Sequence, residues 1–184
     1  MSLPFIFRND NIIPPPYNFL KQKLKNNQYW KSKLDKNTNI KIGIVWQGDK
    51  VNNKYNFKRS IDLKMFKSIL NLKKIEFISL QKDYGGEQIH SNKLQNLVTD
   101  FYGNIDQEPF KDTVPLIDCL NMVISVDTSI AHIAASMKKE TWILIPKVPD
   151  FRWGLESDKT IWYSKATLYR QKKINDWSDV FNKI

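Results

Sequence analysis

From residue 40 onward, apolar positions fall in short blocks separated by mixed stretches. Lys41-Ile42-Gly43-Ile44-Val45-Trp46 is an apolar run closed by Gln47-Gly48-Asp49, the pattern of a buried strand followed by a turn. Asp62 then precedes Leu63-Lys64-Met65-Phe66-Lys67-Ser68-Ile69-Leu70, an amphipathic helix with a capping carboxylate. The alternation continues with strands predicted over 76–80, 97–102, 122–126 and 141–145. Helices are predicted over 86–94, 109–120, 129–137 and 176–184, with Pro109 in the first turn of the second. Short strands alternating with helices mark βαβ units and a parallel sheet. Their nearly continuous apolarity fits a sheet covered on both faces. The expected fold class is therefore α/β, a Rossmann-like parallel sheet with helices on both faces, over residues 40–184.

Residues 1–39 have a different texture. Pro14-Pro15-Pro16 is a stiff extended spacer without backbone donors. Residues 17–34 then carry Phe19, Leu20, Leu24, Trp30 and Leu34 near one stripe, with lysines elsewhere, a helical spacing. This segment reads as an interdomain linker with a docking helix.

A chain of 184 residues fits one domain with an appendage and can bury a sizeable core. Charge changes the picture more. There are 29 basic residues against 19 acidic ones, for a net charge of +10, which raises nucleic acid or an anionic membrane as partner. Yet 25 of the basic residues are Lys and only Arg8, Arg59, Arg152 and Arg170 are Arg, whereas sequence-reading proteins favour the bidentate Arg fork. Residues 1–74 carry +12 and residues 75–184 carry −2, so the excess belongs to the front of the chain. An exposed lysine-rich face explains it more simply than a nucleic-acid site, and no nucleic-acid partner is expected. Cys119 is the sole cysteine, which excludes an internal disulfide. With two histidines, a zinc site of nitrogen and sulfur ligands would need carboxylates to join it; no metal site is expected. No apolar run approaches the ~20 residues of a membrane span, and the first residues lack a signal-peptide pattern. A cytoplasmic location is expected.

In an open parallel sheet, ligands bind beyond the carboxyl ends of the strands. After the strand ending at Val126 comes Asp127-Thr128-Ser129-Ile130-Ala131-His132, which opens a helix of small residues. Its first-turn amides favour an anion, Asp127 or Thr128 would be the N-cap, and Thr128 and His132 share a face. A diphosphate cradle fits this spacing; so does a plain capped helix with His132 packed on the sheet. The polar loop from Gln47 to Ser60 contains Arg59, a candidate bidentate phosphate clamp. The loop Gln81-Lys82-Asp83-Tyr84-Gly85-Gly86-Glu87 offers Glu87 either to ribose hydroxyls or to a helix dipole. The polar–aromatic loop 149–154 includes Trp153, a candidate for core or ligand platform. The six glycines form no G-x-G-x-x-G and no phosphate-binding G-x-x-x-x-G-K-[ST], and there is no G-x-S-x-G. A typical dinucleotide enzyme, a P-loop NTPase and a nucleophile-elbow hydrolase are therefore disfavoured.

The blocks Ile42-Gly43-Ile44-Val45-Trp46-Gln47-Gly48, Arg59-Ser60-Ile61-Asp62-Leu63, Ser79-Leu80-Gln81-Lys82 and Val123-Ile124-Ser125-Val126-Asp127-Thr128-Ser129-Ile130-Ala131-His132-Ile133-Ala134 occur in a telling order. Together they resemble the carboxyl-terminal domain of heptosyltransferase-like glycosyltransferases of the GT-B architecture. Ile145-Pro146-Lys147-Val148-Pro149-Asp150-Phe151-Arg152-Trp153 resembles the branch fused to tetratricopeptide repeats. Ser2-Leu3-Pro4 and the proline-rich front resemble the segment that joins the two halves of such enzymes. The resemblance implies the nucleotide-sugar-binding half of a metal-independent glycosyltransferase, with the donor as substrate and no cofactor. It assigns the donor diphosphate and sugar to Asp127, Thr128, Ser129, His132 and Arg59, and the nucleoside to Glu87 and Gln81. Ser129 stands where heptosyltransferases have Gly, so its side chain either crowds the phosphate or binds it. The amino-terminal GT-B domain is not in the sequence; the catalytic base and acceptor site are expected there, along with tetratricopeptide repeats as further partners. The chain is thus expected to be a fragment that binds nucleotide weakly and does not turn over alone. The alternatives are a basic nucleic-acid-binding module and a degenerate GT-B half kept as an interaction domain.

Overall fold

A computed structural model describes residues 27–48, 59–82, 84–101 and 110–184. Helix α1 (Asn27–Leu34) leads into strand β1 (Ile40–Val45); a 3-10 turn (Leu63–Phe66) runs into α2 (Lys67–Leu70) and then β2 (Ile75–Ser79). Next come α3 (Gln88–Ser91), β3 (Val98–Thr99), α4 (Thr113–Cys119) and β4 (Met122–Val126). Helix α5 (Ser129–Ser136), β5 (Glu140–Ile145), a 3-10 turn (Phe151–Trp153), β6 (Ala166–Arg170) and α6 (Ser178–Phe181) complete the order.

All six strands are parallel and lie in the order β3-β2-β1-β4-β5-β6. The Rossmann-like α/β fold is thus present, with the doubly wound order that reverses direction between β1 and β4. Register is set by period-two burial. On β1, Ile42 and Ile44 face the layer containing Phe66, Phe77, Trp177 and Phe181. Val45 faces the opposite layer, with Leu80, Leu116, Leu120, Val123 and Ile130. Gly43 has no room for a side chain, because an added Cβ would lie 2.6 Å from both Leu80 Cδ1 and Leu120 Cδ1. These leucines close over β1 and tie its position to β2 and β4.

Helix α1 docks on this same domain. Trp30 is fully buried and meets Phe101 edge to face, with ring centroids 5.2 Å apart. The Asn27 amide donates to Asp118 on α4, and the Cys119 thiol donates to Asn27 Oδ1 at 3.2 Å. Burial, with help from the neighbouring Asp118 charge, pushes the Cys119 thiol up to about 11.

Several boundaries differ from the sequence expectation. β6 was not anticipated: Ala166-Thr167-Leu168-Tyr169-Arg170 alternates apolar and polar positions, as suits an edge strand, and lacks the solid apolar run of its neighbours. β3 holds two residues where 97–102 was expected, since only Phe77 and Ile78 pair with it. α3 and α6 are single turns inside the longer spans expected at 86–94 and 176–184. α4 begins at Thr113 with Pro115 in its first turn; Pro109 lies outside the described residues, as do 1–26 of the linker. Asp62 caps as expected, its Oδ1 accepting from Lys64 N at 2.9 Å. Among the described residues no helix is long and apolar enough to cross a membrane.

Candidate donor site at the β1–β4 switch point

The reversal of strand order leaves a crevice beyond the carboxyl ends of β1 and β4, where the helices that follow diverge to opposite faces. The β1 side is a scaffold of backbone ties. Gln81 lies just past β2 and is buried; its Oε1 accepts from Trp46 N at 3.2 Å and from Gln47 N at 3.0 Å. Its Nε2 donates to Gln47 O at 3.1 Å and Tyr84 O at 2.8 Å. All four hydrogen-bonding positions of this amide are thereby used, so Gln81 fixes the end of β1. Glu87 is exposed and closes its own turn, Oε2 accepting from Gly85 N at 2.8 Å. The structure does not bring Glu87 or Gln81 into contact with the other candidate residues through any of these bonds.

Arg59 lies at this edge, beyond residues 49–58. Ile61 N donates to Trp46 O at 2.8 Å, and Gly48 N donates to Ser60 Oγ at 3.2 Å. The guanidinium lies over Gly48: an added Cβ there would stand 2.9 Å from Arg59 Nε and 3.1 Å from its Nη2. Arg59 Nε is buried without a hydrogen-bond partner among the described residues.

The β4 side carries Asp127, Thr128, Ser129 and His132. Thr128 occupies the N-cap position of α5 in extended conformation but makes no capping bond through its side chain. Ser125 Oγ donates to Val126 O at 2.7 Å and lies 3.1 Å from Thr128 Oγ1, so Thr128 spends its hydroxyl proton on Ser125. The first-turn amides of α5 are left without that cap, at the positive end of the helix dipole. Ser129 is exposed at this mouth. Ala131, Ala134 and Ala135 are buried and let α5 sit close to the sheet.

Asp127 is 5% exposed. Its Oδ1 lies 3.7 Å from His132 Nε2, too long for a hydrogen bond. Burial pushes the Asp127 carboxyl up, but the nearby polar nitrogens of His132 and Trp153, beyond hydrogen-bond length, and the Arg152 and Arg59 charges outweigh it and hold it below the usual carboxylate range. Trp153 comes from the turn after β5, is 3% exposed, and stacks on His132 with centroids 5.0 Å apart and planes 19° from parallel. Neither Trp153 Nε1 nor His132 Nε2 has a hydrogen-bond partner among the described residues. Tyr163 closes the other side of the ring, its hydroxyl 2.8 Å from His132 Nδ1.

Three buried nitrogens without a hydrogen-bond partner among the described residues, on Arg59, His132 and Trp153, and one ionised carboxylate therefore gather at the switch point, together with uncapped helix amides. Buried polar groups left unpaired are uncommon and costly, and a polar ligand entering here would pair them. Sequence spacing pointed to Thr128, His132 and Arg59, and the family resemblance added Asp127 and Ser129. It left Trp153 open between core and ligand platform, and it missed Tyr163, which lies 31 residues beyond His132. Nothing in local spacing could couple these two; the one signal for Trp153 was the density of polar and aromatic residues after β5. Among the described residues there is no cluster of three or more His, Cys, Asp or Glu suited to a metal ion. No protein-family model matches the chain, and no curated protein matches it, which leaves the switch-point geometry and the motif resemblance as the grounds for function.

Proposed function

We propose that this domain binds a nucleoside-diphosphate sugar at the β1–β4 mouth and serves as the donor-binding half of a heptosyltransferase-like GT-B glycosyltransferase. The observation that carries the reading is the convergence of unpaired Arg59, His132 and Trp153 donors on Asp127 beside the uncapped start of α5. In this reading Arg59 and the α5 amides meet the diphosphate, which is where negative charge grows as the sugar departs. Asp127 is ionised and repels a phosphate placed against it, so it accepts from a neutral hydroxyl of the donor. His132 and Trp153 supply directed N–H groups to the remaining oxygens. The catalytic base and the acceptor are assigned to an amino-terminal GT-B domain, with tetratricopeptide repeats as a further partner and the cytoplasm as location.

Calorimetric titration of UDP, ADP and GDP sugars tests this. Binding of at least one is expected, weakened by roughly 1.5–3 kcal/mol in His132→Ala and in Arg59→Ala, the scale of a charge-assisted hydrogen bond. No heat from any of the three at millimolar ligand would overturn the reading.

A further inference from the structure

We propose that Tyr163 is a positioning residue of this mouth: its hydroxyl donates to His132 Nδ1 and so holds the imidazole in the tautomer that presents Nε2–H toward Asp127. The proposal rests on the donor-site reading for its ligand, while the hydrogen-bond assignment stands on geometry.

The ring of His132 is held from three sides. Trp153 stacks on one face, Tyr163 meets the ring at 63° with centroids 5.7 Å apart, and α5 carries the residue itself. Its two nitrogens see opposite surroundings. Nδ1 faces the Tyr163 hydroxyl at 2.8 Å; Nε2 faces the Asp127 carboxylate at 3.7 Å. A neutral imidazole carries one proton. With the proton on Nδ1, the Nε2 lone pair would point at an ionised carboxylate, which is repulsive in a buried setting. With the proton on Nε2, the N–H dipole points at the carboxylate and Nδ1 becomes an acceptor. Tyr163 has a single proton to give, and this arrangement uses it.

Burial raises the Tyr163 pKa against the opposing influence of the nearby Ser136 hydroxyl, so the phenol stays protonated and keeps a proton to donate. Ser136 lies on the last turn of α5 and His132 one turn before it. The resulting chain runs in one direction, from the Tyr163 phenol to the imidazole to the Asp127 side of the mouth. Its effect is to aim a donor whose Nε2–H makes no hydrogen bond among the described residues. Fixing that donor before the ligand arrives removes the loss of ring and tautomer freedom from the binding step.

The test uses imidazole nitrogen NMR, which the composition makes clean: the chain has two histidines, and His90 is exposed on α3 as an internal control. In the wild-type chain His132 is expected as the Nε2–H tautomer with a hydrogen-bonded Nδ1, while His90 averages between tautomers. In Tyr163→Phe the Nδ1 signal of His132 is expected to move toward the unbonded range, His90 to stay put, and UDP, ADP or GDP binding to weaken about fivefold. A proton found on Nδ1 in the wild type overturns the proposal, and that measurement does not need the variant to fold. An unmoved His132 signal in Tyr163→Phe overturns it too, as does a moved signal with unchanged nucleotide affinity. If no nucleotide binds the wild-type chain while the Nδ1 signal responds to Tyr163→Phe, the donor reading fails and the Tyr163–His132 bond stands.

Discussion

Gly48→Ala separates a binding role for Arg59 from a packing role. The new methyl would be 2.9 Å from Nε, 3.1 Å from Nη2 and 3.3 Å from Cζ of Arg59, where an unstrained contact needs about 3.5 Å or more. The guanidinium must therefore retreat by half an ångström or so. It is the free end of a flexible side chain, and the backbone at Gly48 has no unusual φ, so the fold should yield at a cost under about 0.5 kcal/mol. For a chain of this size that lowers Tm by no more than about 2 °C. Binding should suffer more. A hydrogen bond to a charged group contributes about 1.5–3 kcal/mol, and a guanidinium pushed off its line loses much of that, which is roughly a tenfold weaker nucleotide affinity. Calorimetry with a nucleoside diphosphate and a thermal melt on the same sample read both numbers. An affinity equal to wild type, in a background where Arg59→Ala does weaken binding, would refute the idea that Gly48 sets the guanidinium's place. A fall in Tm beyond about 5 °C would show that something stiffer than an arginine tip fills the space.

Two further outcomes follow from ionisable groups that the fold shifts, buried Asp127 and half-buried Cys119. The Asp127 carboxyl titrates lower in the folded than in the unfolded chain, so it contributes stability above its unfolded pKa of about 3.9 that is lost as pH falls through its folded value. Melts of wild type and Asp127→Asn should accordingly diverge above about pH 4 and converge in more acid solution; parallel profiles across that range would show that its charge is not favoured by the fold. Cys119, raised to about 11, should be about 0.1% thiolate at pH 8, against roughly a quarter for a free thiol of pKa about 8.5. Iodoacetamide should therefore label this sole cysteine about two hundred times more slowly in the native chain than in urea, and comparable rates would sink the assignment of a half-buried, neutral thiol.

The parallel sheet was legible because four of its strands are buried on both faces and spell themselves as apolar runs. β6 sits at the edge, where Thr167 and Tyr169 alternate with buried Ala166 and Leu168, and an alternating five-residue segment among loops carries little signal. β3 was overread because Phe101 looks like strand yet serves α1 as a ring partner for Trp30. At the mouth, Thr128, His132 and Arg59 could be nominated from the rule that ligands sit past strand ends, and the family resemblance supplied Asp127 and Ser129. Gln81 shows the limit of that rule: a polar residue in the right loop, whose amide is fully used by the backbone of β1 and its following turn. Tyr163 shows the other limit, since its contact with His132 depends on how the connection between β5 and β6 folds back over α5, a long-range fact that no local pattern encodes.

The two bonds at the neck of the 49–58 segment have an evolutionary consequence. Trp46 O with Ile61 N, and Gly48 N with Ser60 Oγ, bring the entrance and exit of that segment side by side. Chain inserted between such fixed ends adds only about 0.6 kcal/mol of closure entropy for each doubling in length. The strand, the clamp and Arg59 can therefore stay in place while the stretch between them is lengthened, shortened or rewritten. Lineages carrying this domain are free to vary the insert in length and sequence, with selection acting there and the sheet left alone.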